Sequence, residues 1–137
     1  MEKYIEATPE SGKSFYLKYQ GKGKIVLLNF LRFKKVADYT NLESIAPKKQ
    51  ISGGEAYELY MMHTLPCLKK YGGRVLYKGN ANSFLIGPLE ETWDLVLLVE
   101  HESVEKFIAF AQDEECLKTA KHRKAALEDS RLLPTSL

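Results

Sequence analysis

Apolar and polar positions switch between two periods along the chain, and the switches mark out its elements. Lys24 to Phe33 (KIVLLNFLRF) is an apolar run broken only by Asn29 and Arg32, the pattern of a strand covered on both faces. A period of two sends Ile25, Leu27, Asn29, Leu31 and Phe33 to one face and Val26, Leu28, Phe30 and Arg32 to the other. A polar linker follows from Ala37 to Gln50, with Pro47 inside it, and the spacing then becomes helical. Ser52 and Glu55 match a capping box and Gly72–Gly73 supply a stop, so a helix is predicted from about Ser52 to Tyr71. Ala56, Tyr57, Tyr60, Met61, Thr64, Cys67, Leu68 and Tyr71 share one side of it. Leu59, Met62 and Leu65 fall outside that stripe, which leaves a second surface to cover. The ring of Pro66 predicts a kink or break near Met62.

Beyond the glycines, RVLYKG alternates as a strand, NANS turns or bulges, and FLIG is expected to continue the strand to the Gly87–Pro88 turn. TWDLVLLVEH reads as a second covered strand. Ser103 caps a helix carrying Val104, Phe107, Ile108 and Ala111 on one face, and Asp113 caps another to about Glu128. SRLLPTSL forms a last short strand, stopped by Pro134. Ahead of all this, residues 1–23 are polar and turn-rich but carry Tyr4, Phe15, Tyr16 and Tyr19, the marks of an arm or short helix that docks on one domain at 24–137. The order strand, helix, strand, strand, helix, strand is the ferredoxin-like βαββαβ pattern, an α+β fold with one antiparallel sheet and helices on one face. The other face is apolar as well, and its simplest cover is the same face of a second copy, a homodimer with sheet-to-sheet packing.

The stretches IVLLNFLRF, ISGGEAYELYMMHTLPCLKKYGG, FLIGPLEETWDLVLLVEHESVEKFIAFA and HRKAALEDSRLLP carry a resemblance to the domain-of-unknown-function family thirteen-thirty, in the dimeric α/β-barrel superfamily. The resemblance covers most of residues 24–134. It implies a ferredoxin-like protomer that pairs sheet to sheet, and no established reaction. Two positions depart from the family pattern: Cys116 stands where an aromatic is usual, and His101–Glu102 where Phe-Pro is usual in related branches.

At 137 residues, 45% apolar and 28% charged, the chain fits one soluble globular domain able to bury its own core. Two cysteines, Cys67 and Cys116, are too few for a disulfide framework and read as reduced thiols, Cys67 being a buried structural one. The N-terminus has acids where a signal peptide has its apolar run, and no apolar stretch reaches membrane-spanning length, so a cytoplasmic location and no membrane partner are expected. The net charge of +2 conceals an asymmetry. Residues 1–50 carry ten basic and five acidic residues, whereas residues 82–115 carry nine acids and one base, Lys106. That division suits self-assembly better than a polyanionic partner, and no nucleic acid is expected.

The three histidines, His63, His101 and His122, lie on different elements without ligand spacing, so no metal is predicted. GKGK lacks the context of a dinucleotide fingerprint, and no cofactor is expected. What remains is polar groups on apolar elements. Asn29, Arg32, Tyr57, Tyr60 and Trp93 are the expected lining of a small, mainly apolar pocket, with His63 as the group suited to proton transfer. Two functions fit: a cofactor-independent enzyme or binder of a small molecule, and a non-enzymatic structural or regulatory homodimer module.

Overall fold

A computed structural model describes residues 2–137. In chain order the elements are α1 (Pro9–Tyr19), β1 (Ile25–Phe33), α2 (Gly53–Lys70), β2 (Arg74–Asn80), β3 (Leu95–His101), α3 (Val104–Gln112), α4 (Glu114–Ala126) and β4 (Leu127–Ser136). The strands form one antiparallel sheet in the order β2-β3-β1-β4. Central β1 pairs Ile25 with His101 and Leu31 with Leu95 on one side. On its other side Ile25 meets Ser136 and Phe33 meets Leu127. This is the ferredoxin-like α+β arrangement expected from the pattern, with α1 added in front.

Local chemistry sets the element ends. Thr8 caps α1, its hydroxyl accepting from the Ser11 N–H, with Pro9 at the first helical position. Ser52 and Glu55 form the expected capping box on α2. The start of α2 is pressed against the end of β1: the Gly53 N–H donates to the Lys34 carbonyl at 3.0 Å. A Cβ on Gly53 would stand 2.7 Å from the Ala126 oxygen, so only glycine fits there. Asp113 ends α3 and caps α4, accepting from the Cys116 N–H.

Faces follow the period of two. Ile25, Leu27 and Leu31 are buried beneath the helices, while Val26, Leu28, Phe30 and Arg32 on the outer face are half-buried. The outer face continues through Val96 and Leu98 of β3, Leu133 of β4 and Tyr77 of β2. Leu133 and Tyr77 are 60% and 56% exposed, and no helix covers them.

Five sequence expectations are corrected. FLIG does not extend β2: with β3 beginning only at Leu95, the segment has no strand to pair with beyond the single bridge Ser83–Thr92. It forms a loop in which Phe84 lies against Phe30, with Leu85, Ile86 and Leu89 exposed. Pro134 does not stop β4, which is an edge strand. The Pro134 carbonyl points off the ladder to the Tyr19 hydroxyl at 3.1 Å, so the missing N–H interrupts no bond to β1. α4 ends at Ala126, not Glu128, because Leu127 already pairs with Phe33. Finally, Cys67 and Cys116 are joined in a disulfide between α2 and α4, with Cα atoms 6.0 Å apart. Spacing along the chain could not show that two helices distant in sequence pack side by side. α2 runs on through Pro66 to Lys70 without a break.

Candidate functional site

The inner face of the sheet carries two hydrophobic clusters. One joins Leu31, Leu95, Leu97 and Leu127 to Ala56, Tyr57 and Met61 of α2 and Ala126 of α4. The other joins Ile25 and Leu27 to Tyr19 of α1 and Val104 of α3, with Phe15 and Phe107 packed against it. Between helices and sheet lies a cleft of ≈1510 Å³. Leu27, Asn29, Leu97 and Val99 form its floor, and Tyr57, Tyr60, Met61, Leu65 and Leu68 of α2 form one wall. Phe15 of α1, Phe107 and Phe110 of α3 and Leu117 of α4 complete it. The lining is mainly apolar, with a few polar groups set into it, the usual form of a small-molecule site.

Asn29 sits at the centre of the floor, where the strand period aims it at the helices. Its amide donates to the Leu27 carbonyl at 3.3 Å, a long bond within its own strand. Tyr57 is buried against Phe33 and Tyr60, with ring centroids 5.3 and 5.2 Å away. Burial, and then the neighbouring Tyr60, push its hydroxyl pKa well up, so it remains a neutral donor. Lys121, Arg123 and Lys124 of α4 stand on the lining with Glu6 and Asp38, so the cleft border carries more positive than negative groups. Arg123 is held in place by the Ile5 carbonyl, to which it donates at 2.6 Å.

At the far end of the cleft stands His101, 2% exposed, with Phe107 edge-on at 4.9 Å and Phe110 at 5.7 Å. Its Nδ1 has no hydrogen-bond partner among the described residues. Burial pulls its pKa down to about 4, so the ring is neutral at pH 7. The sequence marks His101 as a departure from the family pattern and as a histidine without metal-ligand spacing. The signal that it belongs to the interior was present all the same, since it is two steps from Val99 and four from Leu97 on a strand whose odd positions point inward.

The six residues expected to share a pocket are divided by the structure. Asn29, Tyr57 and Tyr60 lie together along the cleft. Arg32 and Trp93 lie on the opposite side of the sheet. There the guanidinium groups of Arg32 and Arg131 stand over the Trp93 ring at 5.2 and 5.1 Å, and Phe30 packs on it at 6.0 Å. Arg32 donates to the Thr92 carbonyl and to the fully buried carboxylate of Asp129, at 3.0 Å each. Burial raises the pKa of Asp129. The Tyr4 N–H, the Arg131 side chain and the Ser130 N–H oppose that, and the carboxyl is held below its usual range. His63 is exposed on the flank of α2 and stacks on His122 of α4 at 5.7 Å. His122 Nδ1 meets the Tyr39 hydroxyl at 2.7 Å. No group of three or more metal-binding side chains occurs among the described residues. No helix among them is long and apolar enough to cross a membrane.

Residues 44–134 match the model of a family described as Domain of unknown function (DUF1330). No curated protein matches the chain. Two crystal structures are similar along its whole length. The methylated RPA0582 protein is 33% identical with a TM-score of 0.88, covering 100% of this chain and 96% of that one. The RPA0582 protein of unknown function from Rhodopseudomonas palustris is 32% identical with a TM-score of 0.85, covering 99% and 98%. A dimeric protein of unknown function and ferredoxin-like fold from Bacteroides fragilis NCTC 9343 is 14% identical with a TM-score of 0.44, covering 87% and 99%.

Proposed function

Because the chain belongs to the Domain of unknown function (DUF1330) family, whose description names no reaction, we propose its function from the cleft itself: binding of a small, mainly apolar molecule between the helices and the inner face of the sheet. The observation that carries this is the cleft of ≈1510 Å³ with Asn29 on its floor. An open cleft with a mainly apolar lining and a few convergent polar groups is the form in which proteins bury small molecules. Asn29, Tyr57 and Tyr60 are the polar groups that would orient the molecule. His63 stands outside the cleft, so no proton transfer is assigned to it. The protein works as a homodimer in this reading, packed through the outer faces of its sheets, because Leu133 and Tyr77 are left 60% and 56% exposed there.

The test is ligand stabilisation with 1-hexanol, 1-octanol and naphthalene as probes. Binding to the native state alone raises the unfolding free energy by RT ln(1 + [L]/Kd), about 2.7 kcal/mol at a hundredfold excess over Kd. A rise that Leu97→Trp abolishes, by filling the floor, supports the reading. If no probe shifts the midpoint, the cleft reading fails and the non-enzymatic homodimer module stands in its place.

A further inference from the structure

We propose that the loop of residues 84–91 is a clasp that docks on the outer sheet face of a second copy of this chain, at the end of that face which its own loop leaves open. The proposal rests on the outer-face pairing just described. Leu85, Ile86 and Leu89 are 99%, 91% and 78% exposed, an unusual concentration of bare apolar side chains within five residues. The loop is anchored at its root. The Ala81 N–H donates to Asp94, the Trp93 N–H donates to Asn82, and the Trp93 indole N–H donates to Glu91, all at 3.0 Å. Phe84 and Trp93 lie against Phe30, so the loop covers its own outer face at the Phe30–Arg32 end only. The Ile25 end, with Val26, Leu28, Leu98 and Leu133, has no such cover.

Each protomer therefore presents on one side an apolar tip and an apolar half-face without a lid. Two copies related by a two-fold axis in this plane bring each tip onto the other's open half, which is the self-complementarity an isologous contact requires. Charge is complementary as well. At the open end Lys24 and Arg74 share the single carboxylate of Glu100, while the loop brings the exposed Glu90.

The test places a photo-crosslinking benzoylphenylalanine at Ile86 in the full chain and irradiates an equal mixture of ¹⁴N- and ¹⁵N-labelled protein. Crosslinks between differently labelled chains that map to residues 24–28, 74–77, 98–100 or 131–135 support the clasp. A dimer by sedimentation whose crosslinks stay within one chain overturns the clasp while leaving the sheet pairing intact. A monomer at 10 μM overturns both. As an independent measurement, Leu85→Asp with Ile86→Asp should raise the dimer dissociation constant at least a hundredfold with circular dichroism unchanged. Dimerisation as tight as the native chain's would refute the clasp.

Discussion

Reducing the Cys67–Cys116 bond should cost this protein a large share of its stability without changing a single side chain of the fold. The bond joins residues 49 apart in sequence. In the chain-entropy account, releasing a loop of that length frees the unfolded ensemble by about 4 kcal/mol at 25 °C. At about 2.1 cal/mol/K of unfolding entropy per residue, this corresponds to a fall of about 14 °C in Tm. The measurement is urea unfolding followed by fluorescence of Trp93, the only tryptophan and 2% exposed, with and without a phosphine reductant. The slope against urea should also steepen, because the reduced unfolded chain is less compact. Cys67→Ala with Cys116→Ala should unfold at the lower midpoint and ignore the reductant. The bond also sets up a conflict with the cytoplasmic expectation, since reducing compartments keep thiols free. Titration of two free thiols in the native, untreated protein, or a midpoint that reductant leaves within about 0.5 kcal/mol, would refute the reasoning.

Two further predictions concern buried charge. His101 has its pKa lowered to about 4 against 6.5 unfolded, so the unfolded state takes up the proton first as pH falls. Its contribution is fully present above about pH 6.5 and is lost on the way down to about pH 4; between pH 6.5 and 5 the loss is about 2 kcal/mol. His101→Phe, which suits its aromatic neighbours, should flatten that slope in urea midpoints taken across the range, and an unchanged slope would remove His101 as the cause. Asp129→Asn removes the carboxylate that serves Arg32 at 3.0 Å and Arg131 at 2.6 Å with no exposure of its own. Leaving two cations without their partner should cost about 3 kcal/mol and alter Trp93 fluorescence, because both guanidinium groups stand over that ring; a cost below about 0.5 kcal/mol would show that the network is not needed.

How far the fold was legible depends on whether its signals were local. The capping boxes, the glycine stop and the period-two faces of β1 and β3 act within a few residues, and from them the element order and the ferredoxin-like topology follow. Legibility ended where a side chain's neighbour comes from elsewhere in the chain. Alternation separates Asn29 from Arg32, and the structure puts Asn29 in the cleft and Arg32 against Trp93 across the sheet. Trp93 has the odd-numbered parity of the inward-facing β3 residues but precedes the strand, and it packs with Arg32 and Phe30 on the outer face. The disulfide is the same kind of failure, as it needs the α2–α4 packing that only the assembled fold supplies. FLIG misled because β-propensity says nothing about whether a partner strand extends far enough to pair.

The same distinction explains how a cleft persists inside a domain that could close it. Apolar contact between helices and sheet concentrates in the two clusters, and the cleft is bordered by members of both. Covalent and polar ties stand at its two ends. At one end the disulfide joins α2 to α4, and Asp113 accepts from the Tyr71 hydroxyl at 2.5 Å and from the Lys70 ammonium at 3.0 Å. At the other, the N-terminal segment is held by the Ser130 hydroxyl donating to the Tyr4 carbonyl at 2.5 Å, by the Tyr4 N–H donating to Asp129 at 2.8 Å, and by Arg123 on the Ile5 carbonyl. α2 and α4 pack side by side, and the disulfide fixes one end of that packing. Loosening either end should therefore change the affinity of the cleft for naphthalene before it changes the helix content, and reduction of the disulfide loosens one end without touching the other.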